Sequence, residues 1–206
     1  IWTLEEIWNE SLGIRPQREI VPRDYVYASE LGGALIDTYL KMQGEDPSNG
    51  PNRRSKRKFD AGDIWEDITA EVLKRAGLLI STQEHLTYQY PNLVSVHGRL
   101  DHYAGGRPNL EEVKKYFEGK DDNQLTFLDR TSFGLAERLL AKYPEGVLKM
   151  ILEIKSSSSY MFAVREKNNC ADRQHIMQLF HYLKSKDEPV GQVCYVNKDD
   201  CLMKSF

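Results

Sequence analysis

The sequence predicts an α/β fold, a mixed central β-sheet flanked by helices, and two sets of observations carry that expectation. Asp63–Ala76 and Ala171–Lys184 repeat their apolar residues at helical spacing. Between and after them lie apolar runs of strand length, the best of them Leu148–Lys155. The 206 residues, 40% apolar and 29% charged, suit one domain spanning 1–206. They exclude a disordered polymer, a collagen-like repeat and a disulfide-dense mini-protein.

From Trp2 to about Met42 the chain reads as short helices, giving an N-terminal helical segment of about residues 1–45. Leu4, Ile7 and Trp8 share one helical spacing, and Tyr25–Leu40 continues it. Gly44–Pro51 is dense in turn residues and reads as a loop. Arg53-Arg54-Ser55-Lys56-Arg57-Lys58 follows, a run of cations whose plain reading is a solvated loop. In the Asp63–Ala76 helix, Ile64, Trp65, Ile68, Val72 and Ala76 form the apolar stripe, and Gly77 ends it. Glu66 falls on the edge of that stripe near Leu73, placed for half-burial beside a cleft, while Asp67 and Glu71 point away.

Strands come next. Leu86, Tyr88 and Tyr90 alternate, and Pro91-Asn92 makes a turn. In Val94–Tyr103, the residues Val94, Val96 and Leu100 take one face and His97, Arg99 and Asp101 the other. Asn109–Gly146 reads as mostly helical, with Leu135, Leu139 and Leu140 in one helix before Pro144. In Leu148–Lys155, Leu148, Met150, Leu152 and Ile154 share one face, and Lys149, Ile151, Glu153 and Lys155 the other. Ser156–Ser159 reads as a polar loop. The Ala171–Lys184 helix carries Ile176, Leu179, Phe180 and Leu183 as its stripe, with Gln178 and Tyr182 on a face beside it. Val190–Val196 and Leu202–Phe206 close the chain as strands about the turn Asn197–Asp200.

Composition narrows the function. Three cysteines, with no CxxC pair, are too few and too odd in number for a disulfide framework, and reduced structural thiols are expected. The five histidines lack the usual zinc spacings, and His97, His102, His175 and His181 read as structural or peripheral. A net charge of −3 argues against nucleic-acid affinity over the whole surface and leaves room for a local basic groove. No apolar run approaches the roughly 20 residues that span a bilayer. The opening Ile1-Trp2-Thr3-Leu4-Glu5-Glu6 has no secretory pattern and no initiator Met, so a trimmed, cytoplasmic chain is expected.

One constellation carries chemistry. Asp101 ends a strand, and Glu153 and Lys155 project from one face of another. Two carboxylates converging at a strand edge suit a hard divalent cation that takes oxygen ligands and keeps several waters. Such an ion polarises a phosphoryl oxygen and acidifies bound water. A lysine beside it can orient that water, stabilise charge on phosphate or assist proton removal.

In order, His97-Gly98-Arg99-Leu100-Asp101, Leu152-Glu153-Ile154-Lys155 and Gln178-Leu179-Phe180-His181-Tyr182 resemble the PD-(D/E)XK nuclease superfamily, and more narrowly its RecB-like and phage exonuclease branch. Gly62-Asp63-Ile64-Trp65-Glu66 resembles the upstream GxxxE helix start of that branch, and Tyr27-Ala28-Ser29-Glu30-Leu31-Gly32 a short Ser-containing segment near its beginning. The resemblance implies a restriction-endonuclease-like core, DNA as partner, and Mg2+ or Mn2+ as cofactor. It implies that Asp101 and Glu153 are metal ligands with the Ile154 carbonyl, that Glu66 lies near the metal, and that Lys155 is the catalytic lysine. Gln178 and Tyr182 would line the cleft. The long spacing from Asp101 to Glu153 implies a helical insertion at about 108–146. No iron–sulfur cluster is expected, since the cysteine set of the cluster-bearing subgroup is absent. Arg53, Arg54, Lys56, Arg57 and Lys58 would touch the DNA backbone if not a plain loop, and Arg173 is a weaker candidate for phosphate.

A second ExK, Glu112-Val113-Lys114, lies in a charge-mixed stretch without an apolar run before it and reads as a solvated helix. The expected function is a metal-dependent deoxyribonuclease of recombination, repair or phage DNA processing, an exonuclease before an endonuclease. A nuclease-like module that binds without cutting, and a structure-specific resolvase, stay open as alternatives.

Overall fold

The computed structural model describes residues 21–45, 52–91, 94–118, 120–121, 123–132 and 134–206. The expected Leu4–Trp8 helix, most of the Gly44–Pro51 loop and Asn92 lie outside them. In chain order the elements are β1 (Tyr25–Tyr27), a 3-10 turn (Ala28–Glu30), α1 (Leu35–Met42), α2 (Arg53–Arg75), β2 (Leu79–Thr82), β3 (His85–Gln89), β4 (Ser95–Arg99) and β5 (His102–Gly106). Then come α3 (Leu110–Phe117), α4 (Phe127–Thr131), α5 (Leu135–Lys142), β6 (Val147–Ser157), α6 (Ser159–Asn168), α7 (Arg173–Lys186), β7 (Gly191–Asn197) and β8 (Met203–Ser205).

The fold class is α/β. Among the described residues two mixed sheets form, one ordered β1-β4-β3 and one ordered β2-β5-β6-β7-β8. In the larger sheet β5 and β6 run antiparallel, while β6 and β7 run parallel and are linked through α6 and α7. Alternation along β6 sends its side chains to two cores. Ile151 packs with Leu179 and Tyr182 of α7, and Ile154 packs with Trp65 of α2 on the opposite side. Helices therefore cover both faces of the central strand, which is why it is apolar nearly throughout.

Several expectations are corrected. The basic run is helix, not loop: the Asn52 side chain accepts from the Ser55 N–H at 2.9 Å, and Arg and Lys propagate the helix it caps. Ile64 and Val72 of the expected stripe are exposed, at 51% and 36%. The buried positions of α2 include Ala70 and Arg75, and Ala76, which caps the helix, is buried as its place in the stripe predicts. Polar residues occupy the packed side because each finds a partner there, Glu66 on Gln83 and Arg75 on Asp129. Tyr25–Tyr27 is a strand rather than the start of a helix, since Tyr-Val-Tyr favours a pleated surface and pairs parallel to β4. Ser156 and Ser157 continue β6, and Ser158 caps α6, a helix the apolar pattern did not reveal. On α7, Phe180 is 60% exposed, whereas Gln178, Leu179, His181 and Tyr182 are buried.

The most consequential correction concerns Val94–Tyr103. It is two strands in two sheets, broken at Leu100 and Asp101. Leu100 is fully buried at the junction, and its anchoring there turns the chain from one ladder to the other. Gly98 permits the close approach this needs: a Cβ there would lie 2.5 Å from Cε1 of Tyr182 and 2.8 Å from the Ala28 Cβ.

Three short helices, α3 to α5, fill the chain between β5 and β6, and Glu112-Val113-Lys114 lies in α3. They are fastened to α2 by a buried pair, Arg75 Nε on Asp129 Oδ1 at 2.7 Å. The Tyr116 hydroxyl donates to the same carboxylate oxygen at 2.9 Å and accepts from Arg75 at 2.8 Å.

Candidate active site

The break between β4 and β5 leaves Asp101 one step beyond the His102–Leu152 pair, opposite Glu153 in the antiparallel register. Its Oδ2 accepts a 2.7 Å hydrogen bond from the backbone N–H of Ile154, tying the turn to the middle of β6. Glu153 and Lys155 project from one face of β6, as their spacing requires, and the Lys155 ammonium donates to Glu153 Oε1. Glu153 is fully buried, and its second oxygen, Oε2, has no hydrogen-bond partner.

Helices supply the walls. Glu66, on α2, accepts from the Gln83 side chain at 2.9 Å. From α7, the Gln178 amide donates to the Tyr182 hydroxyl at 2.9 Å, and that hydroxyl donates to the Arg99 carbonyl at 3.0 Å. Glu66, Asp101, Lys155, Gln178 and Tyr182 line one open cavity of about 770 Å³. Glu153 lies behind that wall, beneath Lys155.

The electrostatics are strained. Burial, then the nearby Asp101, raises the Glu66 carboxyl to about 7. Burial raises Asp101 and Glu153 as well, against the pull of Lys155. Burial works against the charge of Lys155 too, but Glu153 and Asp101 outweigh it and hold the ammonium above its usual range. Three carboxyls thus face one lysine, a shortage of positive charge that a further cation would relieve.

The residues fit a divalent metal of the kind expected. A buried carboxylate oxygen without a donor, an opposing Asp and a third carboxyl starved of compensation are hard oxygen donors awaiting positive charge. Among the described residues no three His, Cys, Asp or Glu are gathered into a ready cage. Mg2+ needs none, since it is usually held by one or two carboxylates, with water and substrate phosphate completing the shell.

Other expected residues lie elsewhere. Lys56, Arg57 and Lys58, in the first turns of α2, are not among the cavity-lining residues, and neither is Arg173, which is exposed at the start of α7. Of Arg53 and Arg54 only the backbone, in α2, is described. The histidines divide. His102 is buried between the hydroxyls of Thr69 and Thr82, and His181 is buried on α7. His97 lines the cavity, together with Arg23, Tyr25, Tyr27, His85 and Arg99, all of which the sequence reading missed as site residues. The Tyr-x-Tyr alternation of β1 is the signal that could have found two of them. Cys170, Cys194 and Cys201 are free thiols. Among the described residues no helix is long and apolar enough to cross a membrane.

No family model matches the chain, and no curated protein does. Among solved structures it is similar to the crystal structure of SSO0001, with a TM-score of 0.54 and 14% identity over 99% of this chain and 77% of that one. It is also similar to an alkaline exonuclease, LHK-Exo, from Laribacter hongkongensis, with a TM-score of 0.45 and 11% identity over 98% of this chain and 80% of that one. At 14% identity the likeness to SSO0001 is one of fold.

Proposed function

We propose that the chain is a divalent-metal-dependent deoxyribonuclease, a PD-(D/E)XK enzyme of restriction-endonuclease-like core that hydrolyses DNA phosphodiester bonds and acts chiefly on DNA ends. One observation carries the reading. The Ile154–Asp101 hydrogen bond of 2.7 Å docks a carboxylate from the sheet junction onto the Glu153-Ile154-Lys155 segment of the central strand. Separate sequence motifs thereby meet in one buried, acid-rich pocket that opens to solvent. A Glu153–Lys155 couple serving only as a surface ion pair would not leave the carboxylate fully buried.

Asp101 and Glu153 would hold Mg2+ or Mn2+, with the Ile154 carbonyl and with Glu66 directly or through water. When bound, the ion would supply Lewis acidity toward phosphate and lower the pKa of a bound water. Lys155, whose ammonium donates to Glu153, would act as a charge and hydrogen-bond donor toward phosphate and water. Gln178 and Tyr182 fix the wall beside it and hold the Arg99 carbonyl, two residues before Asp101. Residues 108–146 form an insertion in one nuclease-like domain. The basic first turns of α2 and Arg173 contact the DNA backbone outside the cavity, which makes binding fall steeply with salt. The setting is recombination, repair or phage DNA processing in the cytoplasm.

The test incubates the protein with linear and closed-circular DNA in magnesium, in manganese and in chelator, beside Lys155→Ala. Metal-dependent loss of linear DNA alone, absent in the variant, supports the exonuclease. Cutting of the circle makes the enzyme an endonuclease. Binding without cleavage in either metal overturns the enzymatic reading in favour of a binding module.

A further inference from the structure

The three-stranded sheet has two unlike faces. Val96 of β4 and Leu86 of β3 turn toward α7 and join the main core. The pairing register puts Tyr25 and Tyr27 of β1, His97 and Arg99 of β4 and His85 of β3 on the other face. All five line the cavity that holds Asp101 and Lys155.

These rings are arranged, not merely exposed. Tyr25 and His97 are stacked, with centroids 4.1 Å apart and planes inclined by 13°. Tyr27 stands edge-on to Tyr25 at 5.3 Å, and their hydroxyls are 3.2 Å apart. The Arg23 guanidinium lies 4.4 Å from the Tyr27 centroid and grips Glu30 with two bonds of 2.7 and 2.8 Å. That ion pair compensates the acid on the rim, and the five face residues themselves include none.

The plainer account is that the rings only hold β1 against β4. Val26 and Val96, both buried on the other face, already supply that packing. Half-buried aromatic rings and a cation on a cavity wall are what a polyanion with exposed base faces recognises. A duplex covers its base faces with neighbouring base pairs, so a ring platform rewards unpaired nucleotides.

We infer that this face is a stacking subsite for the unpaired bases of a single-stranded DNA end, beside the position of cleavage. The inference rests on the nuclease reading and names its substrate. Tyr25 and His97 present the platform, Tyr27 and Arg23 brace it, and Arg99 offers its charge two residues from Asp101.

Binding of a labelled single strand and of a blunt duplex of the same sequence is measured in chelator by fluorescence anisotropy. The proteins are wild type, Tyr25→Leu, His97→Leu and Tyr25→Phe, and thermal unfolding checks each variant. The wild type should bind the single strand roughly 10-fold more tightly than the duplex, and each Leu variant should lose about 5-fold or more of that affinity. Tyr25→Phe should keep it, and duplex binding should not move. Equal losses on both DNAs, no loss, or preference for the duplex would overturn the inference. Cleavage assays on the same proteins separate the two readings. An active wild type whose Leu variants bind normally sinks the subsite alone, whereas the expected binding pattern in a protein that never cuts sustains the subsite and sinks the nuclease.

Discussion

The hydroxyl of Tyr182 donates to the backbone carbonyl of Arg99 at 3.0 Å, joining the middle of α7 to the last residue of β4. The bond fixes the point at which the chain leaves one sheet and delivers Asp101 to the other. Gly98 leaves room for the ring, and Gln178 donates to the same hydroxyl at 2.9 Å.

Tyr182→Phe keeps the ring and removes that link. It leaves a buried amide and a carbonyl without their partner, at a cost of about 1–3 kcal/mol in stability. Cleavage should fall roughly 10–100-fold, the usual effect of losing a group that orients a metal ligand. Denaturant unfolding and turnover on linear DNA check both. Unchanged turnover would show that the Arg99 carbonyl is held without Tyr182.

Asp101→Asn keeps an oxygen to accept from Ile154 and removes one of three mutually repelling acids. In chelator the variant should be more stable than wild type, by about 1 kcal/mol, the worth of one pKa unit of relieved repulsion. Mg2+ or Mn2+ should raise the melting temperature of the wild type and leave the variant nearly unmoved. Cleavage should disappear. A variant that is less stable in chelator and still stabilised by metal would contradict Asp101 as a ligand.

The residues of the candidate site were more legible in the sequence than the geometry that brings them together. Glu153 and Lys155 declared themselves because charges two apart on an apolar strand have few structural reasons to be there. Gln178 and Tyr182 were found as a pair but assigned to the side of the helix, since apolar spacing gave Phe180 a buried place that Gln178 and Tyr182 occupy. Polar groups can be buried where hydrogen-bond partners meet them, and hydrophobic periodicity is blind to partners that come from distant elements. The same blindness hid the packed side of α2, where Thr69 bonds His102, 33 residues on. The break at Leu100-Asp101 was illegible for another reason. Alternation there continues unbroken through a change of sheet, so nothing local marks it. Tyr25 and Tyr27 passed as helix because their alternation covers only three residues and was outweighed by the helical spacing read over Tyr25–Leu40.

The Arg75–Asp129 pair joins α2 to the inserted helices, and neither side chain is more than 2% exposed. Burial works to raise the Asp129 carboxyl, but the Thr126 N–H, Arg75, the Thr126 hydroxyl and Tyr116 together hold it below the usual carboxylate range. Asp129→Ala leaves the guanidinium Glu71, at 3.3 Å, as its charged partner and should cost about 3 kcal/mol, the low end for a broken buried pair. Replacing both partners together, as Arg75→Met with Asp129→Leu, should cost much less than the two single changes summed, because no charge is left alone. A double-mutant cycle on unfolding free energies reads the coupling. Additive losses would mean that the pair does not tie the insertion to the helix.

His181 is buried beside Tyr90 and Tyr182, and burial, with His97 a smaller contributor, lowers its imidazole to about 4. The unfolded chain takes up a proton there near pH 6.5, before the folded protein does. A histidine depressed in the folded state stabilises fully above the unfolded value, and that contribution is lost as pH falls through the window between about 6.5 and 4. The raised carboxyls of the cavity act in the opposite sense over part of the same range, so the effect is read as a difference between proteins. Relative to His181→Phe, which keeps a ring and has no such proton site, the wild type should lose about 1–2 kcal/mol between pH 7.5 and 5. Urea unfolding of both proteins at the two pH values measures it. A stability gap that is the same at both would mean that the imidazole titrates in the folded protein as it does in water.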